Sequence, residues 1–197
     1  MLGRQLLAAA AQGDAVAVRN LLAGNAPVDA QDAQGNTPLL LATAANHIEV
    51  ARSLLMHGAS PNIQNQMQDS AYLLAGAQGR LEIVRMTISY GADLKSTNRY
   101  GGTALIPACE RGHLETAQAL IAAGVNVNHV NRLGWTCLME AVVLSDGGPR
   151  HQAIIQALID AKADLNLPDK DGVTALAHAR QRGQKAVVHM LQAAGAK

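Results

Sequence analysis

Aromatic side chains are scarce in this sequence. They make up 2% of its 197 residues, and phenylalanine is absent altogether. Hydrophobic residues nevertheless account for 49% of the chain, which is enough to bury a continuous core. Such a core has to be built from small and aliphatic side chains, so we expect helices that pack closely through alanine and leucine.

Strong net charge is missing as well. The formal net charge is +1, and lysine and arginine are scattered along the chain. A protein that binds a nucleic acid backbone or an anionic membrane surface usually carries a concentrated basic patch. We therefore expect no nucleic acid partner.

Only two cysteines are present, Cys109 and Cys137. Their number and spacing form neither a disulfide framework nor a set of zinc ligands, so we expect free thiols and a reducing compartment. No metal ion or other cofactor is expected.

Long apolar runs are also lacking. No stretch of about 18 apolar residues could cross a bilayer, and residues 1–4 lead directly into an alanine- and leucine-rich segment without a signal-peptide pattern. We expect a cytoplasmic protein without membrane insertion. If an exported leader preceded this sequence, the compartment would instead be periplasmic or extracellular.

The sequence does contain an internal repeat. Its markers are Thr37-Pro38-Leu39, Ser70-Ala71-Tyr72, Thr103-Ala104-Leu105, Thr136-Cys137-Leu138 and Thr174-Ala175-Leu176, at steps of 33, 33, 33 and 38 residues. One further step back reaches Arg4 and a degenerate first unit. The pattern predicts a single domain over residues 1–197, with repeats near 2–34, 35–67, 68–100, 101–133, 134–171 and 172–197 and an insertion at 145–149.

Each repeat carries the signals of two short helices. The first helix can be capped by Thr37, Ser70, Thr103, Thr136 or Thr174. Glycine or asparagine follows the second helix, where the chain turns through a left-handed conformation, and only Lys162 departs from this column.

The period and these signals resemble the ankyrin repeat family, whose repeat contains T-P-L-H-x-A, G-H-x-E-x-V and G-A-D-x-N. Gly112-His113-Leu114-Glu115 matches the second motif, and the resemblance covers essentially the whole chain. It implies an all-α solenoid of six stacked helix-turn-helix units of the bacterial type, with projecting β-turn or hairpin loops. It also implies a monomeric, non-enzymatic protein–protein interaction module, acting as an adaptor, scaffold or inhibitor.

In ankyrin proteins the partner is held by the loop tips and the concave surface of the first helices. Those columns of repeats four to six are rich in arginine and aromatic residues, which dominate interface hot spots. The predicted contact residues are Arg99, Tyr100, Glu110, Arg111, Arg132, Leu133, Trp135, Glu140 and Asp146, with Val143 and Leu144 in the same columns. Trp135 could instead pack over the neighbouring loop.

The five-residue insertion admits other interpretations. Ser145, Asp146 and His151 are the residue types of a catalytic triad, but a surface loop lacks an oriented base and a closed pocket. Gly147 and Gly148 lack the context of a phosphate-binding loop. A recognition loop and a neutral insertion both fit. The alternatives for the whole chain are a small enzyme or metal protein that uses this insertion, and a purely structural module.

Histidines and cysteines elsewhere favour structural roles. His47 and His113 occupy the histidine column of the repeat, where the resemblance implies a turn residue. Cys109 falls in a small-residue column, whereas Cys137 begins a helix, where the helix dipole could activate a thiol.

Repeat three departs from the others. Gln68 replaces a loop glycine, Tyr72 and Thr87 replace leucines, and Arg80 replaces histidine. We expect this repeat to be the least stable one, so that local opening of the chain begins there.

Overall fold

The structure is a computed structural model that describes all 197 residues. It contains twelve helices and no β-strands, apart from an isolated bridge between Pro168 and Thr174. The helices are α1 (Leu2–Gln12), α2 (Ala15–Ala23), α3 (Pro38–Ala44), α4 (Ile48–Met56), α5 (Ala71–Gln78), α6 (Leu81–Ser89), α7 (Leu105–Glu110), α8 (Leu114–Ala122), α9 (Cys137–Val143), α10 (Pro149–Asp160), α11 (Ala175–Gln181) and α12 (Lys185–Ala193). The predicted all-α fold of helix pairs is thereby confirmed.

The chain divides into two compact units, Met1–Arg99 and Tyr100–Lys197. In the first unit the first helices α1, α3 and α5 pack side by side, and the second helices α2, α4 and α6 form a parallel row behind them. The second unit repeats this arrangement with α7, α9 and α11 in front and α8, α10 and α12 behind. One domain over residues 1–197 remains a prediction.

Each unit has the aliphatic core that the composition predicts. Fully buried leucines recur from repeat to repeat, with alanines between them where neighbouring helices approach closely. Leu6, Leu39 and Leu54 are examples in the first unit, and Leu105, Leu120 and Leu158 in the second. Because one helix pair cannot cover its own apolar face, each pair depends on its neighbours for burial.

Four of the five predicted caps form. The hydroxyl oxygens of Thr37, Ser70, Thr136 and Thr174 each accept a hydrogen bond from the backbone N–H three residues later. This bond satisfies one of the N–H groups left unpaired at a helix start.

The predicted cap at Thr103 is wrong, and Pro107 explains why. In the other repeats the residue at the position of Pro107, such as Glu140, donates its N–H to the carbonyl of the capping residue. Proline has no N–H, so the Thr103 carbonyl accepts a hydrogen bond from the N–H of Ile106 instead. In the other capped repeats the N–H at the position of Ile106 donates to the hydroxyl of the capping residue, so at Thr103 the hydroxyl loses its donor. The Thr103 hydroxyl is buried without a hydrogen-bond partner, and α7 begins only at Leu105.

Four residues other than glycine adopt the left-handed backbone conformation where most repeats have glycine. Two of them, Asn25 and Asn46, are asparagines, which tolerate it, and the other two are Lys162 and Gln68. Lys162 ends the second helix of repeat five with φ 61°, and Gln68 lies at a loop position with φ 58°. A side chain with a Cβ atom costs roughly 1–2 kcal/mol in this region. Both positions are therefore local sources of strain that the backbone geometry of the repeat imposes.

Two of the departures in repeat three lie deep in the core. Thr87 is fully buried, and its hydroxyl donates to the carbonyl of Val84 at 2.9 Å. Tyr72 is also fully buried, but its hydroxyl has no hydrogen-bond partner. Burial raises the pKa of this hydroxyl, so it stays neutral. An unsatisfied buried polar group is a cost that the leucine of other repeats avoids.

The expectation of free thiols is wrong. Cys109, near the end of α7, and Cys137, the first residue of α9, are joined by a disulfide, with their Cα atoms 5.6 Å apart. Comparing repeats column by column hides this proximity, because the two cysteines occupy different columns that meet only when adjacent first helices pack. The disulfide also removes Cys137 as a free, activated thiol.

None of the twelve helices combines the length and the apolar character that crossing a membrane requires.

Candidate functional site

The loops that lead into the first helices are held by their initial asparagine or aspartate. We call residues 131–135 and 169–173 of the second unit, and 32–36 and 65–69 of the first, the finger loops, together with 100–102, the part of the corresponding loop that begins the second unit. In loop 131–135, the side-chain oxygen of Asn131 accepts from the N–H groups of Leu133 and Trp135 at 2.9 and 3.0 Å. The Asn131 N–H donates to the Trp135 carbonyl at 3.0 Å. The tip between them is therefore held by hydrogen bonds within the loop itself.

Asp169 organises loop 169–173 in the same way, accepting from Asp171 and Val173. Its second oxygen lies 2.7 Å from Nε2 of His178 in α11. The bond from His178, followed by the one from Val173, holds the pKa of Asp169 below its ordinary value.

Successive finger loops are joined by hydrogen bonds. In the second unit the Arg132 N–H donates to the Tyr100 carbonyl at 2.9 Å, and the Lys170 ammonium donates to the Arg132 carbonyl. The Arg132 side chain lies across Gly101, where a Cβ atom would come within 2.9 Å of its Cγ. The Lys170 side chain covers Gly134 in the same manner, with 2.7 Å to its Cγ. Glycine is thus required by close approach as well as by backbone conformation.

The side chains at these tips face solvent. Tyr100 is 54% exposed and Leu133 is 53% exposed. Arg132, which directly precedes Leu133, is exposed as well. At the ends of the first helices, Arg111 and Leu144 are exposed and Glu110 is half-buried. Arg99, the last residue of the first unit, is also exposed.

Trp135 is half-buried in loop 131–135, so neither of its two interpretations describes it fully. Its backbone closes the loop onto Asn131, and its ring offers only part of its area to a partner.

The prediction that Glu140 lies on an accessible surface is wrong, because this side chain is buried. It is only 5% exposed, and Oε1 accepts a hydrogen bond from Asn131 at 2.7 Å. Burial, and then the Glu110 carboxylate, raise the pKa of Glu140 to about 7, against the opposing effect of the Asn131 bond. Val143 is buried too, because α9 is covered on both sides, by α7 and by α11. Because the Glu140 carboxylate accepts a hydrogen bond from Asn131, which organises loop 131–135, Glu140 supports this finger loop from its buried side.

The insertion is an ordered loop. The Ser145 hydroxyl donates to the Ala141 carbonyl at 2.6 Å, and the Asp146 carboxylate accepts from the Gly148 N–H at 2.8 Å. From the next repeat, the Gln184 amide donates to the carbonyls of Val142 and Ser145, both at 3.0 Å. Asp146 itself remains exposed.

His151 has a structural partner as well. Its Nε2 lies 2.9 Å from the carbonyl of Glu110 at the end of α7. In the first unit, Nε2 of His47 lies 3.1 Å from the carbonyl of Ala11 at the corresponding place. Once the insertion is counted, His151 occupies the same column as His47. Ser145 and His151 are thus bonded to different carbonyls, not to each other.

Comparison with known proteins explains this regularity. A family model of ankyrin repeats matches residues 2–65 and 72–169. The chain belongs to the ankyrin repeat family. Proteins built from ankyrin repeats are generally protein–protein interaction modules.

Solved structures of other ankyrin proteins agree closely. An ankyrin repeat domain from Acinetobacter baumannii AYE is 55% identical, with a TM-score of 0.95 over 98% of both chains. The ankyrin repeat protein EF0377 is 40% identical, with a TM-score of 0.93 over 96% of this chain and 97% of that one. The ankyrin repeat protein YahD of Escherichia coli K12 is 48% identical over 58 residues, which span 29% of each chain. The matched segment is thus less than a third of YahD.

One exposed finger-loop residue, Lys170, was not among the predicted contact residues. Lys170 occupies the same column as Arg99 and Arg132, at the tip of loop 169–173. The 38-residue step between the last two repeats displaces it from the 33-residue register, and allowing for the insertion would have found it.

Proposed function

We propose that this ankyrin repeat protein is an adaptor, scaffold or inhibitor that holds a partner protein on the finger loops and first-helix ends of repeats four to six. The observation that carries the proposal is the exposure of Tyr100 and Leu133 on tips that are already bonded in place. A rigid loop that presents large apolar side chains loses little conformational entropy when it binds. The energy of contact is then available for affinity.

Charged residues surround these two anchors. Arg132 and Lys170 extend the tips, and Arg111 lies at the end of a first helix. Arginine can stack on aromatic rings and bind a carboxylate through two parallel hydrogen bonds. We assign Glu110 and Asp146 to the polar rim of the same surface, and we assign a partial contact to Trp135. Arg99, the last residue of the first unit, stays a predicted contact residue. Glu140 acts indirectly, by holding Asn131.

The first unit offers a weaker surface at the same columns. Its finger-loop tips carry Ala33, Gln34, Gln66 and Met67, of which only Met67 is a large exposed apolar residue. The side-chain amide of Gln66 donates to the Ala33 carbonyl at 3.0 Å, so loop 65–69 is also hydrogen-bonded to loop 32–36. The two units thus share a loop architecture and differ in side-chain chemistry, which provides a matched control.

The test compares two double variants, Arg132→Ala/Leu133→Ala and Gln66→Ala/Met67→Ala. Each removes the two tip residues of one finger loop. Partners captured from source-cell lysate on immobilised wild-type protein are identified by mass spectrometry, and the affinity of a purified partner is then measured by calorimetry. Circular dichroism checks that both variants are folded.

We expect the first variant to lose about 30-fold or more in affinity, because removing a hot-spot residue costs about 2 kcal/mol or more. The second should bind like the wild type. Equal losses in both variants, or a loss confined to the Gln66→Ala/Met67→Ala variant, would overturn the assignment to repeats four to six.

A further inference from the structure

The Cys109–Cys137 disulfide connects two neighbouring first helices of the second unit. Cys109 lies in α7 and Cys137 begins α9, and both side chains are buried. The two helices already pack against each other. The covalent link is therefore an addition to an interface that the other repeats form without one.

The equivalent positions elsewhere show that this interface needs no cross-link. They are occupied by Ala10 and Pro38, by Thr43 and Ala71, and by Val142 and Ala175. All six residues are buried small or apolar side chains, or a threonine whose hydroxyl donates to a backbone carbonyl. Ordinary side-chain packing is thus sufficient to join adjacent first helices in this chain.

The segment that the disulfide closes carries much of the proposed binding surface. Cys109 and Cys137 are 28 residues apart, and between them lie α8 and loop 131–135. Five of the proposed contact residues fall inside this segment: Glu110, Arg111, Arg132, Leu133 and Trp135. Linking its two ends lowers the entropy of every state in which the segment is open, and so makes local opening rarer.

We propose that the Cys109–Cys137 disulfide is a redox-sensitive clamp that holds segment 110–136 in its binding-competent form. A protein dithiol reduces it by thiol–disulfide exchange: the S–S bond breaks, two electrons and two protons yield two thiols, and the dithiol becomes a disulfide. The reduced chain keeps the ankyrin fold, because the interface packs without the link. Segment 110–136 then opens more often, and the surface is less well formed. The effect on binding rests on the proposed function; the effect on opening does not.

Burial of both sulfur atoms adds a kinetic feature. A reductant reaches the S–S bond only when repeats four and five open locally, so reduction is slower than that of an exposed disulfide. The clamp therefore responds to a sustained change in redox conditions and not to a brief one.

The test is amide hydrogen exchange, followed by mass spectrometry, on the full chain. Samples are oxidised with glutathione disulfide or reduced with tris(2-carboxyethyl)phosphine, and alkylation under denaturing conditions counts their thiols. We expect reduction to accelerate exchange in residues 114–122 and 131–135 by about tenfold or more, because a loop of this size gains substantial stabilisation from its link. Residues 48–56 and 65–69 of the first unit should be unchanged, which provides an internal control.

A Cys109→Thr/Cys137→Ala variant uses residues that the chain itself places at the equivalent positions, so it should fold. It is expected to exchange like the reduced wild type and to be insensitive to the phosphine. Two free thiols in the oxidised sample, or equal exchange in oxidised and reduced protein, would refute the clamp. The Arg132→Ala/Leu133→Ala variant should keep the full redox response, so failure of the clamp is distinguishable from failure of the binding surface.

Discussion

Replacing Glu140 by glutamine should stabilise the protein at neutral and alkaline pH. Glu140 is 5% exposed in α9, and its carboxylate accepts a hydrogen bond from Asn131. Burial in first place, and the Glu110 carboxylate in second, raise its pKa from the ordinary 4.5 to about 7. Above that pH the folded protein has to hold a buried negative charge, which costs free energy relative to the unfolded chain.

The direction of the pH dependence follows from proton binding. Between the ordinary pKa of 4.5 and the folded pKa of about 7, the folded state keeps a proton that the unfolded state has lost. The free energy of unfolding therefore falls as the pH rises through this window and levels off above it. At roughly 1.4 kcal/mol per pH unit, the full effect is about 3 kcal/mol, which is an upper limit for a site that solvent can partly reach.

Glutamine isolates this effect. Its side-chain oxygen can still accept from Asn131, but it carries no charge at any pH. Glu140→Gln and wild type should be equally stable near pH 4.5, and the variant should gain about 1–3 kcal/mol by pH 8. A Glu140→Leu control matches Leu41 and Leu74 at the same column but leaves the Asn131 amide unpaired, which costs about 1–3 kcal/mol.

Trp135 makes the measurement local, because it is the only tryptophan of the chain and lies in the loop that Asn131 organises. Urea unfolding of oxidised protein is followed by its fluorescence from pH 4.5 to pH 8 at constant ionic strength. Other titrating groups cancel in the difference between wild type and variant. A difference that does not change with pH, or a wild type that is the more stable at pH 8, would refute the assignment of a raised pKa to Glu140.

Three further substitutions test other features. Gln68→Gly should raise the free energy of unfolding by about 1 kcal/mol in urea titrations, because φ 58° suits glycine; destabilisation would contradict the strain argument. Tyr72→Phe removes a buried hydroxyl without a partner and should raise the melting temperature, with a stabilisation of about 1 kcal/mol; a lower melting temperature would mean that the hydroxyl is bonded. Asp169→Ala should lower the melting temperature at pH 7, because Asp169 accepts from Val173 and His178. Since the pKa of Asp169 is lowered by folding, this difference should shrink as the pH falls through the folded pKa, and its persistence in strong acid would argue against the pair.

The regular features of the fold were accessible from the sequence because they depend on local chemistry. A threonine or serine at a helix start and a left-handed residue at a helix end act within a few residues of themselves. Thr136 caps α9 as predicted, and even Lys162, which breaks the glycine column, adopts the left-handed conformation. The period requires that geometry whichever residue is present.

The errors concern contacts between repeats or between neighbouring backbone groups. Thr103 has the right side chain for a cap, but Pro107 four residues later removes a donor and redirects the bonds of the first turn. Cys109 and Cys137 have unremarkable spacing, and only the packing of α7 on α9 brings them together.

The sequence by itself determined the family and the helical class of the fold, since both are written in a repeated local pattern. The columns at which a partner is expected follow from the resemblance to ankyrin proteins and stay a prediction. Tertiary structure alone decided which of those columns are accessible. It buried Glu140 beneath loop 131–135 while leaving Tyr100 and Leu133 exposed at the tips. Exposure depends on what the adjacent repeats cover, and one repeat read in isolation does not contain that information.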